Sequence, residues 1–82
     1  MNTKAEAIKL VAAYMPTEPE RRLFLRLMFG RSMPEALSRI DLSGSPANAA
    51  INMLTYFEKN QMDGSLMACM RTMLPLEGEE SI

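Results

Sequence analysis

The sequence predicts an all-α protein, a compact bundle of five to six short antiparallel helices. Three observations predict it. Apolar residues recur at spacings of three and four, and no segment shows the strict alternation of a half-buried strand. Proline, glycine and capping residues punctuate the chain at regular intervals. The connections left between them are short, about two to six residues, which favours antiparallel neighbours.

The first helix is predicted over residues 4–15, with Thr3 as its cap. Ala7, Ile8, Val11, Tyr14 and Met15 fall on one face, while Glu6, Lys9 and Ala13 point away. Pro16 stops it, because a proline pushes the preceding residue out of the α region. Thr17-Glu18-Pro19-Glu20 then carries the signature of a capping box, in which Thr17 and Glu20 satisfy each other's backbone amides. From Leu23 to Phe29 this second helix is apolar at nearly every position, and its polar stripe is confined to Glu18, Arg22 and Arg26. A helix apolar on most of its circumference belongs at the centre of a bundle. Gly30 is expected to end it.

Ser32-Met33-Pro34-Glu35 repeats the capping logic and opens a short third helix to about Arg39, with Ala36, Leu37 and Ile40 turned inward. Asp41 to Gly44 is a loop. Ser45 caps the fourth helix and Pro46 takes its first position, where a missing amide costs nothing. Ala47, Ala50, Ile51, Leu54 and Phe57 form its inner stripe, opposite Ala49, Asn52, Tyr56 and Lys59. After a break at 60–64, Asp63 or Ser65 caps a last helix with the stripe Leu66, Met67, Met70, Met73 and Leu74, closed by Pro75. The expected division is a helical domain over residues 1–75 and a flexible acidic tail over 76–82, with Glu77, Glu79 and Glu80.

Composition narrows the function. Eighty-two residues make one small domain with a thin stability margin. Apolar residues at 48% supply a core, and a net charge of −1 gives no general attraction to a phosphate backbone. The absence of histidine removes the usual general base and the commonest metal ligand. No nucleophile–base pair, ligand cluster or glycine-rich phosphate loop stands out, so no catalytic residue, metal or cofactor is assigned. Cys69 reads as a small buried hydrophobe, and Gly44-Ser45-Pro46 as a helix start and not a phosphate site. The lone cysteine fits a reducing cytosol, and with neither a signal-peptide pattern nor an apolar stretch of membrane-span length in the sequence, a cytoplasmic protein is expected.

The remaining candidates are surface residues. Arg21, Arg22, Arg26 and Arg31 gather positive charge on or beside the second helix. A solvated rim, a protein-docking patch and a nucleic-acid contact all suit such a group. Docking onto protein is favoured over nucleic acid, because the overall charge is slightly acidic and no base-reading helix pattern is present. Tyr56, projecting away from Leu54, reads as an interface anchor or as a residue covered by another helix. Met53 and Met62 lie beside or beyond the core stripe, suited to adaptable packing or binding.

From Gly44-Ser45-Pro46 onward the order of signals is distinctive. A polar Asn48, an apolar run to Leu54, then Glu58-Lys59-Asn60-Gln61, Leu66-Met67 and Leu74-Pro75 follow in turn. This order resembles the C-terminal half of the bacterial effector-associated domains of type 1, in the death-like group of helical adaptor domains. The resemblance implies a death-like fold and a homotypic adaptor that recruits or assembles effectors, such as a protease or a switch ATPase, in a bacterial defence or conflict system. It implies as partner a matching death-like domain or another copy, with assembly extending to a homo-oligomer or filament. On that reading Arg22 and Arg26 supply a positive patch, Glu6, Glu58 and Asp63 a negative one, and Arg31, Tyr56 and Lys59 complete the protein-interaction residues. The alternative is a small helical nucleic-acid-binding or phage-type regulatory protein.

Overall fold

In the computed structural model, which describes residues 2–73, five helices follow one another: α1 (Thr3–Tyr14), α2 (Glu18–Phe29), α3 (Ala36–Arg39), α4 (Pro46–Lys59) and α5 (Asp63–Met73). There is no strand among the described residues, and the expected all-α bundle is what forms. The expected acidic tail and the Leu74-Pro75 stop lie outside the described residues.

The starts of α2 and α4 follow the predicted chemistry. The Thr17 amide donates to Glu20 Oε1 at 3.0 Å, and the capping box forms with a proline in the first turn. Ser45 Oγ accepts from the Asn48 amide at 3.2 Å, with Pro46 as the first helical residue. At α1 the cap is Asn2 and not Thr3: its Oδ1 accepts from the Ala5 amide at 3.2 Å. Ser32 opens no helix. The chain turns through 30–35 because Met33, 5% exposed, drops into the core and its amide closes onto the Phe29 carbonyl at 2.8 Å. The helix proper therefore begins only at Ala36. Gly30 stays right-handed (φ −61°), so α2 does not end in a left-handed cap.

One core joins the elements. Phe29 of α2 and Phe57 of α4 meet edge to face with ring centroids 4.8 Å apart. Around them are buried Val11, Phe24, Leu25, Met53, Leu66 and Met70. α4 lies along α1, α5 packs on both, and α3 lies against α2. Two inner faces are rotated from their expected settings. In α1, Leu10 is buried, Ile8 is half-buried and Tyr14 is exposed, because the helix turns Ala7, Leu10 and Val11 toward the core. In α4, Ala49 and Met53 are buried with Ala50, Leu54 and Phe57, while Ile51 is half-buried. Small residues at 49 and 50 allow a neighbouring helix to approach closely.

The α4–α5 connection is a Schellman turn. The Met62 amide donates to the Phe57 carbonyl at 2.7 Å and the Gln61 amide to that of Glu58 at 3.0 Å. Its left-handed position, usually glycine, is held by Gln61 at φ 59°.

The candidate interaction surface

α2 sets the surface, and Arg21 sets α2. Arg21 does not join the exposed arginines: it is 1% exposed. Its Nε donates to the Met15 carbonyl at 2.9 Å and Nη2 to that of Pro16 at 2.6 Å. Nη1 donates to the carbonyls of Leu42 (2.8 Å) and Gly44 (3.0 Å). A helix leaves its last carbonyls without intrahelical partners, and the negative end of its dipole favours a cation. Arg21 meets both needs at the end of α1, and its planar five-donor fork also ties in the α3–α4 loop. Among the described residues no acidic side chain pairs with Arg21, and its hydrogen-bond partners there are all backbone carbonyls.

With Arg21 and Leu25 held inward, the opposite side of α2 must face out. Leu23 is 53% exposed, Leu27 62% and Met28 39%. The apolar circumference that suggested a central helix is thus a correction: one side of α2 enters the core and the other is open surface. Beside Leu23 and Leu27 on that surface are Arg22 and Arg26. Arg22 pairs with Glu18 one turn earlier, Nη2 to Oε2 at 3.0 Å. Arg26 and Arg31 are exposed and have no acidic partner among the described residues.

The acidic candidates separate into two kinds. Glu6 is engaged within the chain: Arg71 of α5 forks onto it, Nε to Oε2 at 2.8 Å and Nη2 to Oε1 at 2.6 Å. That charge-assisted contact lowers the Glu6 carboxyl below its ordinary pKa and raises that of Arg71. Glu58 and Asp63, at the α4–α5 corner, have no cationic partner among the described residues. Asp41 is also held below its ordinary pKa, first by the Ser43 hydroxyl at 2.6 Å and then by the Ser43 amide at 3.1 Å.

Tyr56 is half-buried, its ring 6.0 Å from that of Phe57, and it packs on the core. With Arg39, Asp41, Asn52, Thr55 and Lys59 it lines an open cleft of about 340 Å³. Tyr56 and Lys59 are therefore together, apart from the α2 arginines in the chain and on a different helix. Cys69 is half-buried and lines a second, apolar cleft of about 250 Å³ with Met28, Ala68 and Thr72. The feature missed in the sequence is Arg21, whose position one turn before Leu25 and three residues before Phe24 places it on the buried stripe.

No helix among the described residues is long and apolar enough to cross a membrane. No protein-family model, no curated protein and no solved structure matches this chain.

Proposed function

We propose that this chain is a protein-interaction adaptor of the death-like, effector-associated kind, which recruits effectors by like-with-like pairing in the cytoplasm of a bacterium under phage attack or conflict. The observation that supports this reading is the presence of unpartnered charges of both signs on one chain: exposed Arg26 and Arg31 have no acidic partner among the described residues, and Glu58 and Asp63 no cationic one. Arg22, Arg26 and Arg31 form the positive patch. Glu58 and Asp63 form the negative one, with Glu6 at its margin because Arg71 already engages it. Tyr56 and Lys59 extend the surface along α4. Patches of opposite sign on one chain suit a head-to-tail contact, which need not close and so extends into oligomers or filaments. Such charges mainly set partner choice and association rate.

The test is self-association of the wild-type chain against the double variant Arg22→Glu/Arg26→Glu, followed by sedimentation velocity over a range of concentrations. The reading expects concentration-dependent assembly that weakens with salt and is lost in the variant. A parallel anisotropy titration with duplex DNA at low salt separates the nucleic-acid alternative, whose affinity would fall steeply with salt.

A further inference from the structure

Four large apolar side chains are exposed among the described residues, and three of them, Leu23, Leu27 and Met28, belong to α2. At 100° per residue, Leu23 and Leu27 lie one turn apart on the crest of the helix, opposite Arg21 and Leu25. Arg26 rims one side of this crest. Met28 leads on the other side into the cleft it shares with Ala68, Cys69 and Thr72 of α5, whose lining is almost wholly apolar. A volume of about 250 Å³ falls below the usual range of about 300–1,000 Å³ for small-molecule sites. An open, apolar, shallow trough of that size suits side chains presented by another polypeptide.

A second copy of the chain does not match the crest. Outside α2, Tyr14 is the one large apolar side chain exposed among the described residues, so the described surface of a head-to-tail copy brings no apolar stripe to cover Leu23 and Leu27. A two-fold contact of α2 with α2 would cover them, but it sets Arg22 and Arg26 near their own images, and like charges across an interface repel. The charge that complements Arg26 and Arg31 is negative, and the geometry that complements two leucines a turn apart is an amphipathic helix.

We infer that the crest of α2 and the adjoining α2–α5 cleft receive an acidic amphipathic helix of a different protein. Its apolar residues at i and i+4 seat on Leu23, Leu27 and Met28, and its carboxylates meet Arg26 and Arg31. This rests on the reading of the chain as a protein-binding adaptor and names the class of its second partner. Both contacts draw on Arg26, so the bound helix and a neighbouring copy exclude one another at this face.

The probe is a fluorescent helical peptide of about fifteen residues, with leucines at i, i+4 and i+7 and glutamates along one flank. Its control carries lysine at every glutamate. Saturable anisotropy binding of the glutamate peptide is expected, weakened about tenfold or more by Leu27→Asp and by Arg26→Glu, with little binding of the lysine peptide. Circular dichroism verifies that both variants remain folded. Amide shifts on binding should centre on Leu23, Leu27, Met28, Ala68 and Cys69. Absence of saturable binding, equal binding of the lysine peptide, or indifference to Leu27→Asp overturns the inference. So does co-sedimentation with phosphatidylserine vesicles in a chain that ignores the peptide, which would make the crest a membrane-facing surface. Sedimentation velocity on the same wild-type sample separates the two readings: self-association without peptide binding removes this inference and leaves the adaptor, whereas peptide binding without self-association retains it and removes the like-with-like pairing.

Discussion

Arg21 of α2 donates through Nη1 to the carbonyl of Leu42, 21 residues further along the chain, at 2.8 Å. The same guanidinium holds Met15, Pro16 and Gly44. One buried side chain therefore fixes the α1–α2 connection against the α3–α4 loop. It also fixes the rotation of α2, because a helix with Arg21 turned inward must turn Leu23 and Leu27 outward. The interaction surface is in this sense a consequence of the clamp.

Arg21→Ala should remove all four bonds and leave buried carbonyls without donors. Each unsatisfied buried group costs about 1–3 kcal/mol, against a total of about 5–15 kcal/mol for a typical domain. A loss of about 3 kcal/mol or more is expected, read as a fall in Tm of at least roughly 12 °C. Arg21→Lys keeps the charge but not the planar fork and should fall between the two. Thermal unfolding by circular dichroism measures both; a wild-type Tm in Arg21→Ala would contradict the clamp.

The two sides of α2 should respond in opposite ways to truncation. Leu25 is fully buried and Leu23 is 53% exposed. Leu25→Ala is expected to cost about 2–5 kcal/mol, and Leu23→Ala about 0.5 kcal/mol or less. Urea unfolding of the two variants side by side checks the rotation of the helix.

Gln61 holds the left-handed position of the Schellman turn at φ 59°. A residue with a Cβ is strained there by about 1–2 kcal/mol, partly offset by the larger unfolded-state entropy of glycine. Gln61→Gly should therefore stabilise the chain by about 0.5–1 kcal/mol, seen as a higher urea midpoint with an unchanged slope.

The Glu6–Arg71 fork makes a pH-dependent contribution. The folded-state pKa of Glu6 is depressed, so its stabilisation is present above the ordinary glutamate value and is lost as pH falls through the lowered folded value. Glu6→Gln should be less stable than wild type at pH 7, by less than about 1 kcal/mol because the pair is partly exposed. That difference should shrink as the pH falls below the ordinary carboxylate range. Chemical denaturation at several pH values tests it, and a difference that grows toward acid would have the wrong sign.

Much of this architecture is legible in the sequence, through residues whose role is local. Thr17 and Glu20, and Ser45 with Pro46, act on amides within one turn, so their spacing alone announces α2 and α4. Ser32 resembles them but loses to a tertiary demand, the burial of Met33. The orientation of α2 was illegible for a related reason: apolar residues on nearly all sides give no preferred inner face. The missing cue was Arg21, in register with Leu25 and Phe24 on the buried stripe, where a charged residue signals a carbonyl cluster waiting elsewhere in the chain. Pairing of Glu6 with Arg71 spans 65 residues and no local pattern announces it.

The most direct test of the adaptor reading is sedimentation velocity of the wild-type chain beside Arg22→Glu/Arg26→Glu, with circular dichroism confirming that both are equally helical. Concentration-dependent, salt-sensitive assembly in the wild type and a monomer in the variant is the predicted result. Identical sedimentation of the two at every concentration would contradict it.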